Sequence, residues 1–133
     1  MEHNIIHWLR ISYWSGAVLD FAAGWMMLVP ALFAFMNRPE VFHSANEYRY
    51  AMGMGAPLMF GWTVLLLWAD QKPLERKEIL PITLLVVFGE VVTQIWGISV
   101  GFVPFSAILP SFVMQAILVS IFCFAYFNAR RIE

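Results

Sequence analysis

The chain has 133 residues, 61% of them hydrophobic and 13% charged, with a mean hydropathy of +0.71. Soluble domains carry about 25% charged and 45–50% apolar residues, so an ordinary water-soluble fold is excluded and the membrane class follows. The net charge of −1 offers no basic field to a nucleic acid, and the lone Cys123, inside an apolar run, leaves no internal disulfide and no C-x-x-C redox pair.

In chain order, His3 and His7 come first. Their spacing puts both on one helical face, but two histidines beside Glu2 do not complete a zinc site, and a solvated N-terminal turn is expected. The first predicted span covers 11–36 and is interrupted only by Asp20. It is too long for a cleaved signal peptide, and no clear A-x-A site follows. Pro39 is expected to end its helix.

The loop "NRPEVFHSANE" (37–47) offers Ser44 or Asn46 as a cap for the second span, 50–69, which holds no charge. "DQKPLERKE" (70–78) leads to the third, 79–99, interrupted only by Glu90. "SVGFVPF" (99–105) reads as a tight turn before the uncharged fourth, 105–127. Each run meets the requirement of roughly 20 apolar residues. In lipid each must bond its own backbone groups, so each should be a helix. Pro30 and Pro57 can kink their helices, whereas Pro81 falls in a first turn where proline is tolerated. The expectation is a single integral membrane domain over 1–133: an all-α four-helix transmembrane bundle with short loops.

Orientation follows from Lys and Arg. Arg10, Lys72, Arg76, Lys77, Arg130 and Arg131 fall on one side; Arg38 and Arg49 fall on the other. Both termini are therefore expected in the cytoplasm. Trp8, Tyr13, Trp14, Trp68 and Tyr126 at the inner boundary, and Tyr48, Tyr50 and Trp96 at the outer one, agree as aromatic belts.

A carboxylate at mid-membrane costs about 2.5–3.5 kcal/mol on insertion scales. Ser12, Gly16, Asp20 and Gly24 recur every fourth residue, a stripe that lets another helix approach and turns Asp20 toward protein. Glu90, Thr93, Gln94 and Gly97 share a face of the third span, and Ala107, Ser111 and Gln115 one of the fourth. Gly53, Gly55 and Gly61 supply small residues in the second. Counted from their cytoplasmic ends, Asp20 and Glu90 lie roughly 13 and 17 Å deep at ~1.5 Å per residue, so the two acids can be neighbours. A shared proton, a bound cation or a cationic ligand would each relieve the pair.

The ligand- or ion-site candidates are therefore Asp20, Glu90, Gln94, Thr93 and Gln115, joined by the deep aromatics Trp25 and Trp62. Arg10 and Arg49 are the competing explanation, since either could reach inward and form a plain ion pair. No histidine falls within a span, which disfavours a bis-histidine haem. The chain holds no nucleophile elbow, phosphate loop or H-E-x-x-H helix, so no catalytic residue, metal or cofactor is named by a motif.

The segments "LRISYWSGAVLDFAAGWMMLVP", "YRYAMGMGAPLMFGW" and "ADQKPLERKEILP" resemble small bacterial or archaeal tetraspan proteins of the DoxX-like kind. The resemblance covers most of the chain as a pattern of helix lengths and small residues, and no functional residue is carried across. It implies a multi-pass protein of a prokaryotic inner membrane, with some relatives resembling accessory subunits of redox systems. Three functions stay open on the residues. The first is a buried acidic site that binds or conducts a small ligand, cation or proton. The second is a structural or accessory subunit, partnered by itself or by another membrane protein, whose acids only hold helices together. The third is an intramembrane enzyme on a lipid-like substrate.

Overall fold

Backbone polar groups in an apolar chain find partners most cheaply along their own helix. The computed structural model, which describes residues 2–132, is accordingly all-α, with no strand among the described residues. Its helices are α1 (Glu2–Leu28), α2 (Pro30–Asn37), α3 (Asn46–Asp70), α4 (Ile79–Ser99) and α5 (Phe105–Arg130). Helices α3, α4 and α5 are each long and apolar enough to cross a membrane; α1 and α2 meet that test together, which brings the number to four if they form one span.

The first apolar run, expected as one helix over 11–36, is broken. Val29 is extended (φ −109°, ψ 97°), Pro30 starts α2, and the two axes meet at 112°. Proline has no N–H to donate and its ring crowds the carbonyl four residues back, while the residue before it is pushed out of the helical region. Pro57 lies inside α3 and Pro110 inside α5 without ending either helix. α2 stops at Asn37 because Arg38 turns left-handed (φ 45°) and returns its N–H to Ala34 O, just before Pro39. Neither Ser44 nor Asn46 caps α3. The cap position is Ala45 with no side-chain bond, and Ser44 instead accepts from the Arg49 guanidinium. The 99–105 turn forms as expected, with Gly101 at φ 71°, a conformation that glycine adopts without steric penalty.

α1 lies along α3 and α5, α5 lies along α4, and α3 and α4 barely touch. The core is concentrated toward the end that carries the 70–78 loop, where Leu9, Tyr13, Leu66, Leu80 and Phe122 are fully buried. That end is stitched by polar contacts. Tyr13 donates its hydroxyl to Pro73 O at 2.9 Å, and Tyr126 donates to Glu78 Oε2 at 2.9 Å. Arg10 Nε stands 3.6 Å from Asp70 Oδ1, and Trp14 Nε1 donates to Asp70 Oδ2 at 3.2 Å. Arg76 lies over the Trp68 ring at 3.5 Å and donates to the Trp68 carbonyl.

The opposite end is held by Glu40 N–H donating to Phe102 O at 3.2 Å, and by a cluster of Phe33, Phe42 and Tyr48 rings 5.1–5.4 Å apart. Outward-facing Val64, Leu85 and Phe88 are each about two-thirds exposed. So much exposed apolar surface needs a hydrocarbon partner.

Candidate functional site

The stripe on α1 turns inward as its spacing requires. Ser12, Gly16 and Gly24 are buried and Asp20 is half-buried between them. The approach is close. A methyl group on Gly16 would stand 2.9 Å from Leu66 Cδ1 of α3 and 3.0 Å from Phe122 Cζ of α5; on Gly24 it would stand 2.6 Å from Phe60 Cε1. Only glycine lets α1 sit this near its neighbours, and that nearness carries Asp20 into the protein.

On α4, Glu90 is half-buried and within range of the charge on Asp20. Gln115 of α5 donates from Nε2 to Glu90 Oε2 at 3.4 Å. One turn further along α4, Gln94 donates from Nε2 to Ser111 Oγ at 2.9 Å. Two polar rungs therefore join α4 to α5, and Asp20 of α1 is near enough to the first to feel the charge of Glu90.

Donors are the missing component. Asp20 Oδ2, Gln94 Oε1 and Gln115 Oε1 are shut off from solvent and accept no hydrogen bond. A buried acceptor without a partner costs about 1–3 kcal/mol, so the site is short of positive charge or N–H and O–H groups. The arginines do not fill the deficit: Arg10 is spent on Asp70, and Arg49 on Ser44.

Other candidates lie elsewhere. Thr93 is exposed and donates to Gly89 O of its own helix. Trp25 is 48% exposed and packs edge-on against Phe60, with ring centroids 5.9 Å apart. Trp62 is half-buried, and its indole N–H goes to Thr83 Oγ1 at 3.0 Å. The expected inward glycines of α3 also diverge. Gly53 and Gly61 have nothing within 4 Å of an added Cβ, and Gly55 faces Met27.

Sequence reasoning missed Thr83 and Thr63, both buried. Thr63 donates to Met59 O and lies 3.3 Å from Ala17 O. A lone hydroxyl in an apolar run was the available signal. Asp70 was also missed, although its opposite charge at the same bundle end pointed to Arg10. A lateral groove of about 430 Å³ between α1 and α5 is lined by Trp14, Val18, Met114, Ile117 and neighbouring apolar side chains; neither acid reaches it.

No protein-family model, no curated protein and no solved structure matches the chain. The functional reading therefore rests on the interior acceptors themselves.

Proposed function

We propose that the chain is a four-helix transmembrane bundle with both termini and the 70–78 loop in the cytoplasm, whose interior acidic site takes up a proton, a small cation or a positively charged ligand. The orientation rests on Arg10, Lys72, Arg76, Lys77, Arg130 and Arg131 sharing one side of the sequence's span pattern. A DoxX-like kinship, and with it a prokaryotic inner membrane, rests on the span pattern alone.

The observation that carries the site is the set of buried acceptors without donors, together with two carboxyls near enough for one to feel the other's charge. Intramembrane acids that face the bundle interior commonly mark ion or proton pathways. Asp20 and Glu90 would hold the positive species, while Gln94 and Gln115 would supply amide oxygens. The test is cation or proton uptake by the chain reconstituted in liposomes, read with an internal pH dye and a cation tracer. Wild type is expected to show uptake that Asp20→Asn with Glu90→Gln abolishes. Uptake that survives in a folded double variant would falsify this reading.

A second reading has its own observation. The Glu90–Gln115 and Gln94–Ser111 hydrogen bonds tie α4 to α5, as polar glue does between membrane helices. On that reading the protein is a structural or accessory subunit. Its marks are a large stability loss on substitution of the acids and co-purification with a second membrane protein.

A further inference from the structure

The first apolar run is long enough to cross a bilayer before it bends. Arg10 is the last basic residue ahead of it, and from Ile11 to Leu28 the helix climbs roughly 27 Å at ~1.5 Å per residue. That nearly matches the ~30 Å of a hydrocarbon core. Ser12 and Asp20, which lower its apolarity, are buried and half-buried against the protein. α1 therefore crosses by itself, and α2 begins at the boundary opposite the 70–78 loop.

Two observations hold α2 at that height. Its axis is turned 112° from that of α1, about 22° past the perpendicular. Membrane helices tilt by about 20° on average, so α2 runs close to the bilayer plane. Its Phe33 ring also packs 5.4 Å from Tyr48, whose chain neighbours Glu47 and Arg49 are exposed charges that belong at headgroup level.

α2 has two faces. Pro30, Phe33, Ala34 and Asn37 are half-buried, with Phe33 against Phe42 and Tyr48. Ala31, Leu32, Phe35 and Met36 are exposed, Phe35 to 72%, and all four are apolar. This bare face runs on through Leu28 and Val29, also exposed, into the apolar outer flank of α1 at Trp25 and Phe21. The same lipid that covers that flank reaches α2. The exposed charges nearby, Arg38, Glu40, Glu47 and Arg49, cancel one another, so an anionic surface gains no hold.

From the bend, the height and the bare face, and resting on the transmembrane reading of the bundle, we infer that α2 is an in-plane anchor. Its Ala31, Leu32, Phe35 and Met36 face is sunk at the boundary between the headgroups and acyl chains of zwitterionic phospholipid.

The experiment uses the full chain in a Cys123→Ser background, spin-labelled singly at Leu32→Cys, Phe35→Cys, Phe88→Cys or His43→Cys, in phosphatidylcholine liposomes. Depth is read from collisions with oxygen and with a water-soluble nickel chelate, and circular dichroism checks that helix content is retained. Phe88 is exposed on α4, about 13 Å from Ile79 at ~1.5 Å per residue, and reports mid-membrane. His43 is exposed in the loop that follows α2 and reports water. The labels at Leu32 and Phe35 are expected at a shared depth, about 5–10 Å into the headgroup and acyl boundary. Nickel collisions there should be at least threefold below those at His43, and oxygen collisions at least twofold below those at Phe88. Added phosphatidylglycerol should leave both depths unchanged.

A Phe35 label as deep as that at Phe88 would make α2 a re-entrant segment. One as open to nickel as that at His43 would leave α2 in water, and spin–spin broadening at Phe35 would mean that a second copy covers the face. Each overturns the inference, as does a depth gained only with phosphatidylglycerol. If Phe88 sits in hydrocarbon and α2 does not reach the boundary, the bundle stands and the anchor alone fails. If the Phe88 label is itself open to nickel, the transmembrane reading falls and the anchor with it.

Discussion

Gln115 gives its amide N–H to Glu90 Oε2 at 3.4 Å and leaves its own carbonyl oxygen with nothing to accept. The side chain is half satisfied, so its removal deletes a long hydrogen bond and an orphan acceptor together. Interhelical hydrogen bonds in membrane proteins average about 0.6 kcal/mol in double-mutant cycles. Gln115→Leu is therefore expected to cost less than about 1 kcal/mol of stability, measured by reversible unfolding in mixed micelles. A loss of several kcal/mol would instead mark Gln115 as structural glue.

The glycines of α1 and α3 make a paired test of packing. A Cβ on Gly24 would press within 2.6 Å of the Phe60 ring, whereas one on Gly53 would meet nothing. Overpacking costs about 1–3 kcal/mol, and alanine is a better helix former than glycine by up to about 1 kcal/mol. Gly24→Ala should lower the melting temperature in detergent and Gly53→Ala should leave it level or raise it. Phe60→Leu, which shortens the opposing ring, should restore part of the Gly24→Ala loss.

Much of this arrangement is legible in the sequence, for reasons particular to a few residues. Asp20 sits in a four-residue stripe with Ser12, Gly16 and Gly24, and helical geometry allows one face for all of them; the structure buries that face. Gln94 and Gln115 were found because polar residues in apolar runs seek each other. Thr93 misled because residues three apart share a face only loosely, and its hydroxyl can satisfy itself on its own backbone. That α3 and α4 barely touch was not legible, because contact between two helices depends on where their axes lie and not on either sequence alone.

Asp70 holds Arg10 and Trp14 at the loop end of the bundle. The Arg10 side chain is 56% exposed and that of Asp70 20%, with 3.6 Å between the charged atoms; a pair this long with one solvated partner contributes about 0–1 kcal/mol. Asp70→Asn should therefore cost little, and the difference from wild type should shrink between low and high salt in parallel melts. In the same loop, Lys72 hydrogen-bonds Glu75 at 2.9 Å and draws that carboxyl below its ordinary value. A depressed carboxylate stabilises above the ordinary carboxylate range and loses its effect as pH falls through it. Wild type should show a small acid-side decrement in stability, between pH 5 and 3, that Glu75→Gln lacks.

Pro30 decides where the first apolar run turns. It cannot donate to Met26 O, and it holds Val29 extended, so the chain bends by 112°. Alanine at this position regains an N–H and removes the ring clash. The run 11–36 is apolar enough to continue as a single helix, while the Phe33–Phe42–Tyr48 cluster and the Glu40–Phe102 bond oppose straightening. Proline in a helix interior costs about 3 kcal/mol or more, a penalty on the straight form that alanine removes, which brings it within range of what one backbone bond and the ring contacts return at about 1 kcal/mol each. Pro30→Ala should therefore shift the population toward a straighter helix. Spin labels at Phe21→Cys and Phe35→Cys, in a Cys123→Ser background, should report a longer separation in the Pro30→Ala variant. An unchanged distance would show that the far-end contacts, and not the proline, impose the bend.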